Sequence, residues 1–87
     1  MWEIETKSQF RRQLKNLSPE LQNQVRFALT KLQNIENPKT LGEYKHGLRV
    51  FAYDLDKSNR ILFNVRYDDR VIELIRVGDH KNVYGKG

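Results

Sequence analysis

Apolar residues recur at two spacings along the chain, and the change between them separates a helical part from a β part. Trp2 to Thr6 alternates apolar and polar residues, as a half-buried strand does. From Ser8 to Asn37 the apolar positions recur at helical spacing, and from Leu48 to Val77 alternation returns. The pattern predicts an α+β fold with an N-terminal strand, a helical hairpin and then a three-stranded antiparallel meander, with the helices packed on one face of the sheet.

Two sets of start signals divide the helical part into two helices. The hydroxyl of Ser8 is placed to cap the first helix, whose apolar side chains are Phe10, Leu14 and Leu17. The second helix is predicted to start at Ser18, with Pro19 at its first position and Glu20 near the positive end of its dipole. Its apolar stripe runs to the stop at 37–38 and consists of Leu21, Val25, Ala28, Leu32 and Ile35.

Three β-rich runs follow the segment 39–47, whose two glycines and lack of periodicity predict a loop. The runs are Leu48–Leu55, Arg60–Tyr67 and Val71–Val77, with turn-forming residues between them at 56–59 and 68–69. Short turns of this kind join antiparallel neighbours, so the runs are predicted to form the meander.

The two faces of the meander differ in polarity. In its middle strand one face carries Ile61, Phe63, Val65 and Tyr67, and the other carries Arg60, Leu62, Asn64 and Arg66. The first face is expected to pack on the helices and the second to be solvated and basic. In the preceding strand Arg49, Phe51 and Tyr53 share a face. That face is either exposed, where its rings and cation would hold single-stranded RNA, or core, with Val50 and Ala52 facing outward. Periodicity leaves both interpretations open.

Length, charge and residue types narrow the class of protein. The 87 residues fit a single domain, 1–87, with one core. A net charge of +5 and a pI near 9.7 suit a polyanion or an acidic partner, although evenly spread charge of this size also serves solubility alone. With no cysteine and two histidines, disulfides and thiolate chemistry are excluded and a zinc site is not expected. The sequence contains no recognisable signal peptide or membrane span, so a cytoplasmic location is expected.

The greatest density of proton-handling side chains lies at 76–84. Cleaving RNA without a metal needs a base for the 2′-hydroxyl, cations for the charge that develops on phosphorus, and an acid for the leaving oxygen. The chain supplies these types with Arg60, Arg76, His80, Lys81 and Tyr84. A histidine can serve in either proton role near neutral pH, whereas a tyrosine is better suited to positioning, stacking or donating. A polar C-terminal segment without a function would have a similar composition.

Several short motifs in a fixed order resemble the RelE/ParE toxin superfamily over essentially the whole chain. They are Leu-Gly at 41–42, Gly-Leu-Arg at 47–49, Arg-Ile-Leu-Phe at 60–63 and Val-Gly-Asp-His-Lys-Asn-Val-Tyr at 77–84. For the RelE branch the resemblance implies a ribosome-dependent endoribonuclease that cuts mRNA by attack of the 2′-hydroxyl on the adjacent phosphate. It also implies a RelE-like fold, partners that are a cognate antitoxin, the ribosome and mRNA, no membrane association, and no metal or other cofactor.

The resemblance also assigns three catalytic residues. Arg60 matches the arginine proposed to stabilise the phosphate, and Tyr84 matches the C-terminal tyrosine of the RelE branch. His80, two residues after Gly78, matches the histidine that the YafQ-like branch uses in general acid–base catalysis. The residues expected to bind RNA or the ribosome are Arg11, Arg12, Lys45, Arg49, Arg76 and Lys81.

Departures from the RelE pattern leave two other functions open. RelE carries a pair of lysines on the second strand, where this chain has Arg49, Phe51 and Tyr53. This difference makes His80 the expected proton carrier unless Arg49 or Lys45 substitutes for the lysines. The ParE branch shares the fold, poisons DNA gyrase and lacks the nuclease residues, and the combination of His80 with Tyr84 favours the nuclease. A third hypothesis is an inert relative that serves as a binding domain or as part of a longer protein.

Overall fold

The computed structural model describes residues 1–84, in which strands and helices follow the predicted order with two additions. The strands are β1 Glu3–Thr6, β2 Glu43–Lys45, β3 Val50–Asp54, β4 Asn59–Arg66 and β5 Val71–Asp79. The helices are α1 Ser8–Lys15, α2 Pro19–Asn34 and α3 His80–Tyr84, with a 3₁₀ turn at Pro38–Leu41. The additions are β2, in the segment predicted as a loop, and α3, in the C-terminal segment. The last three residues of the predicted domain lie outside the described part.

The start of α2 confirms its predicted signals, whereas the predicted cap of α1 is wrong. The Ser18 hydroxyl accepts a hydrogen bond from the Leu21 N–H at 3.2 Å, and Pro19 is the first helical residue. In α1, Ser8 is itself the first helical residue and Lys7 precedes it without a side-chain cap. The N–H of Lys7 donates to the Leu74 carbonyl at 2.9 Å. This bond ties Lys7 to β5, and Lys7 is the single residue between β1 and α1.

The five strands form one sheet in the order β1-β5-β4-β3-β2. The central strands β3, β4 and β5 are the predicted antiparallel meander, and β1 pairs in parallel with β5 through Glu3 opposite Val71. The prediction of a loop across 39–47 is wrong at 43–45, where β2 pairs antiparallel with β3 and places Tyr44 opposite Phe51. A strand of three residues is too short to show alternation in the sequence.

The sheet carries a main core on its helical face and a smaller core on part of its other face. On the helical side, buried residues of α1 and α2 pack on the sheet in a main core of Trp2, Phe10, Val25, Ala28, Leu32, Ile61, Phe63, Ile72, Leu74 and Val77. Phe51 and Tyr53 pack against this core, so the interpretation of these rings as core is confirmed and an exposed RNA-stacking face is wrong. On the other face a second, smaller core consists of Val50, Ala52, Leu62 and Val83. Val50 and Ala52 therefore point away from α1 and α2 but are buried beside α3.

The expectation of a solvated, basic second face is wrong in two places. Leu62 is 2% exposed because it belongs to the second core. Further along β4, Arg66 is ion-paired with Glu5 at 3.2 Å and Asp69 at 3.3 Å, and it also contacts the Glu73 carboxylate. Hydrogen bonding to Arg66 is the main cause that lowers the pKa of the Asp69 carboxyl. These carboxylates offset the positive charge at that end of the face.

Gly42 marks a position where the backbone passes very close to the main core. A Cβ at this position would lie 2.9 Å from two ring carbons of Phe63, which is fully buried. The Gly42→Ala variant is expected to lower the free energy of unfolding by about 1–3 kcal/mol, because the ring has no free space to move into. Chemical denaturation measures this change. Gly47→Ala is the control, since a Cβ at Gly47 meets no atom within 4 Å, and an equal loss in both variants would contradict the steric explanation.

Within residues 1–84 no helix combines the length and the apolar composition that crossing a membrane requires.

Candidate active site at the end of the sheet

The candidate site forms where β4 begins, β5 ends and α3 starts. Asn59 pairs with Asp79 and Arg60 with Gly78, so Arg60 lies directly beside the turn into α3. Gly78 is buried and has a φ of 145°, a backbone conformation that favours glycine. A Cβ there would also approach the Asn82 Cβ at 3.3 Å. The glycine therefore allows the chain to leave β5 and continue at once as α3.

Helix α3 carries two of the three expected catalytic residues. The Asp79 carboxylate accepts hydrogen bonds from the backbone N–H and the side chain of Asn82 at 3.0 and 2.9 Å, which caps the helix. Val83 is fully buried in the second core and fixes which side of α3 faces the sheet. His80 and Tyr84 lie one turn apart, and their ring centres are 4.5 Å from each other.

Arg60 reaches Tyr84 from β4. Its guanidinium carbon lies 5.9 Å from the centre of the Tyr84 ring, and its Nε lies 3.8 Å from an oxygen of Asp54. The Tyr84 hydroxyl is the largest influence that raises the pKa of the Arg60 guanidinium, with the Asp54 carboxylate adding to it and burial opposing it. Arg60 is therefore a permanent cation in a site where its side chain is only 19% exposed.

Two buried polar atoms in this cluster lack a hydrogen-bond partner within residues 1–84. They are the Nε of Arg60 and the hydroxyl of Tyr84, so the contact between these two side chains does not reach hydrogen-bond geometry. Buried polar groups are normally paired, and an unpaired one is costly. A guanidinium and a phenolic hydroxyl side by side can both donate to an anionic oxygen such as that of a phosphate. The arrangement is thus suited to holding a phosphate next to the exposed imidazole of His80.

The structure brings two of the six residues expected to bind RNA or the ribosome, Arg76 and Lys81, near this cluster. Arg76 lies opposite Leu62 and donates to the Val83 carbonyl at 2.8 Å, so its guanidinium holds α3 in place. Lys81 is exposed on α3. Lys45 is on the same face of the sheet as α3 but pairs with Val50, at the end of β3 opposite to Asp54, so it lies away from the cluster, and its ammonium is 3.2 Å from a Glu43 oxygen.

The other three residues expected to bind RNA or the ribosome also lie away from the cluster. Arg49 precedes β3 with a left-handed φ of 58°, whereas Arg60 pairs with Asp54 at the opposite end of that strand. Arg11 and Arg12 belong to α1 on the other face of the sheet, and Arg11 donates to the Thr6 carbonyl at 2.6 Å.

Asp54 and Asp79 are residues of the site that were not predicted from the sequence. The capping role of Asp79 could have been predicted from the sequence, since an aspartate directly before a polar run at a strand end is a common helix cap. The role of Asp54 could not, because its proximity to Arg60 depends on strand register. Within residues 1–84 no three His, Cys, Asp or Glu side chains converge as metal ligands would.

Comparison with known proteins gives one family and one fold. A family described as "ParE-like toxin of type II bacterial toxin-antitoxin system" matches residues 4–86. No curated protein matches the chain. Among solved structures, the RelBE2 toxin–antitoxin complex of Mycobacterium tuberculosis superposes with a TM-score of 0.74 at 21% identity, covering 91% of this chain and 98% of that one.

Two further solved structures have the same fold. The isolated RelE toxin of Escherichia coli has a TM-score of 0.76 at 15% identity over 98% of this chain and 93% of its own. A metal-bound toxin of Helicobacter pylori has a TM-score of 0.64 at 23% identity over 93% of this chain and 97% of its own. At these identities the matches establish a shared fold.

Proposed function

Because the chain belongs to the ParE-like toxin family of type II bacterial toxin–antitoxin systems, we propose that it is a toxin that cleaves mRNA on the ribosome without a metal. In the proposed reaction the 2′-hydroxyl of one nucleotide attacks the adjacent phosphorus, and the bond from phosphorus to the 5′-oxygen of the next nucleotide breaks. The products are a 2′,3′-cyclic phosphate and a 5′-hydroxyl.

The observation that carries the proposal is the pair of buried, unpartnered polar atoms on Arg60 and Tyr84. A phosphate oxygen that entered between the two side chains would accept from both, and the scissile phosphate would then lie against a fixed cation. As the 2′-oxygen bonds to phosphorus, negative charge builds on the phosphoryl oxygens. A cation that is already in place stabilises this charge more in the transition state than in the ground state.

His80 is the proposed proton carrier. It is exposed at the start of α3, beside the phosphate position that Arg60 and Tyr84 define, so its imidazole can exchange a proton with the 2′-hydroxyl or with the leaving 5′-oxygen. Contact with the Tyr84 ring limits the orientations of the imidazole. Tyr84 thus acts in two ways, as a donor to the phosphate and as a support for His80.

A cognate antitoxin is the proposed protein partner, and the helical layer offers a surface for it. Residues 8–35 contain five Lys or Arg and a single acid. A groove between α1 and α2 has an apolar floor of Leu14, Val25 and Leu29 with Lys15 and Arg26 at its rim. On another side of α2, Phe27 is 74% exposed and lies with Asn23, Arg26 and Thr30. An amphipathic, acidic segment of the antitoxin would match this surface in both apolar contact and charge.

Removing the Phe27 ring is expected to weaken antitoxin binding. The Phe27→Ser variant should bind the cognate antitoxin about tenfold or more weakly, as expected when an aromatic anchor is lost from an interface. Titration calorimetry with the purified antitoxin measures the change. Gln24→Ser on the same helix is the control, and equal affinity of both variants and the parent would place the antitoxin elsewhere.

Gyrase inhibition is the second candidate function, and β3 is the observation that favours it. The strand Val50–Asp54 carries no basic side chain, so the lysines used by RelE have no counterpart there. Two assays on the purified chain separate the candidates: cleavage of mRNA bound to ribosomes, and supercoiling by gyrase. Cleavage with unaffected supercoiling is expected. Inhibited supercoiling with intact mRNA would overturn the nuclease proposal.

A further inference from the structure

Helix α3 depends on side chains from outside the helix for its position. It has five residues, and a helix of that length is not stable by itself in water. Asp79 caps its start, and Arg76 binds the Val83 carbonyl near its end. Both of these residues belong to β5, the strand from which α3 continues. These two hydrogen bonds attach the helix to its own strand, and the packing of Val83 against Val50, Ala52 and Leu62 holds it on the sheet.

Gln13 adds a hydrogen-bonded link from the helical layer. Its Nε2 donates to the Asn82 carbonyl at 3.0 Å, and its Oε1 accepts from the Val77 N–H at 2.9 Å. A single carboxamide thus bridges the two backbone segments on either side of Gly78. Within residues 1–84 it makes the hydrogen bond that joins α1 to α3, and no side chain of α2 makes another.

We propose that Gln13 is a positioning residue that sets the angle between β5 and α3. Gly78 is the residue of this turn with the widest choice of backbone conformations, so a link across it restricts the direction that α3 takes. Since Arg60 lies on the sheet while His80 and Tyr84 lie on α3, the same link fixes the distance between the cation and the other two side chains. The catalytic consequence rests on the proposed nuclease function, whereas the ordering of α3 does not.

The role of Gln13 requires both halves of its carboxamide. The oxygen accepts a hydrogen bond from the Val77 N–H, and the amino group donates one to the Asn82 carbonyl. A methionine of similar length would form neither of these hydrogen bonds. A glutamate would keep the acceptor but would turn a carboxylate oxygen towards the Asn82 carbonyl, where two acceptors repel, until protonation of the glutamate restores a donor.

The test measures hydrogen exchange of the α3 amides in the full chain. In Gln13→Met, protection of the Val83 and Tyr84 amides should fall about 10- to 30-fold, as the loss of two hydrogen bonds predicts. In Gln13→Glu, protection should be low at neutral pH and should rise towards the parent value as the pH falls below about 5, where a glutamate becomes protonated. The parent should show no such rise.

Gln22→Met is the matched control. Gln22 also donates to two backbone carbonyls, those of Leu14 and Leu17, but these bonds lie within the helical hairpin. It should lower overall stability as Gln13→Met does without a selective loss of protection in α3. If the α3 amides are equally protected in Gln13→Met and Gln22→Met, Gln13 does not position the helix. The same conclusion follows if their protection in Gln13→Met equals that in the parent.

Cleavage kinetics on the same proteins test the catalytic consequence. In Gln13→Met, kcat should fall about tenfold or more with little change in KM, because the reacting groups are misplaced while binding is retained. Unchanged kcat would overturn the positioning role while leaving the nuclease proposal intact. If the parent does not cleave RNA, the nuclease proposal fails, and the exchange data still decide whether Gln13 orders α3.

Discussion

The His80→Ala variant is expected to cleave ribosome-bound mRNA about 10²- to 10⁴-fold more slowly than the parent, as the loss of a general acid–base group predicts. The fold should not change, because His80 is exposed and its ring contacts Tyr84 rather than either core. The rate is measured in single-turnover reactions on purified ribosomes, and circular dichroism verifies the fold.

Lys81→Ala is the control for this variant. Lys81 is the next residue of α3 and is also exposed, so its replacement changes the charge of the helix without removing the imidazole. Its expected loss of rate is much smaller. Equal losses in the two variants would show that α3 contributes positive charge rather than proton transfer. Loss of the folded signal in His80→Ala would show that this residue is structural.

The Arg60→Ala variant is expected to lose about 10²- to 10³-fold in kcat, the size of effect seen when one preorganised donor to a developing negative charge is removed. Arg60→Lys should recover little of this loss, since an ammonium group cannot present the Nε and guanidinium donors in the same plane. The stability of Arg60→Ala should be close to that of the parent, because the Nε it removes has no hydrogen-bond partner within residues 1–84.

Arg12→Ala separates a local effect of Arg60 from a general loss of positive charge. Arg12 is exposed on α1, on the other face of the sheet. If Arg60→Ala and Arg12→Ala raised KM to the same degree and left kcat unchanged, both residues would act only by attracting RNA. A change in kcat that is specific to Arg60 supports stabilisation of the transition state.

The main elements could be predicted from the sequence because their signals are local. Ser18 and Pro19 mark the start of α2 by chemistry that acts within one turn, and alternation marks β4 and β5. The elements that were missed, β2 and α3, have three and five residues, too few to show a period. The second core was missed for a related reason, because Val83 is a single apolar residue among polar ones and its partners come from distant strands.

Residue types in the site could be predicted, but their arrangement could not. Arg60, His80 and Tyr84 were identified by chemistry and resemblance, whereas their proximity depends on the pairing of Arg60 with Gly78 and on the turn at that glycine. Gln13 gave no signal, since a polar residue on an amphipathic helix looks solvated in the sequence. The basic second face was predicted from Arg60 and Arg66, and the acids that pair with Arg66 come from other elements.

The most direct test of the proposed chemistry is the structure of the RNA ends. Messages bound to ribosomes are incubated with the parent chain or with His80→Ala, and the new termini are analysed. Attack by the 2′-hydroxyl predicts 2′,3′-cyclic phosphate and 5′-hydroxyl ends with the parent and very few with His80→Ala. Intact messages, or ends that carry a 5′-phosphate and a 3′-hydroxyl, would contradict cleavage at a phosphate held by Arg60 and Tyr84.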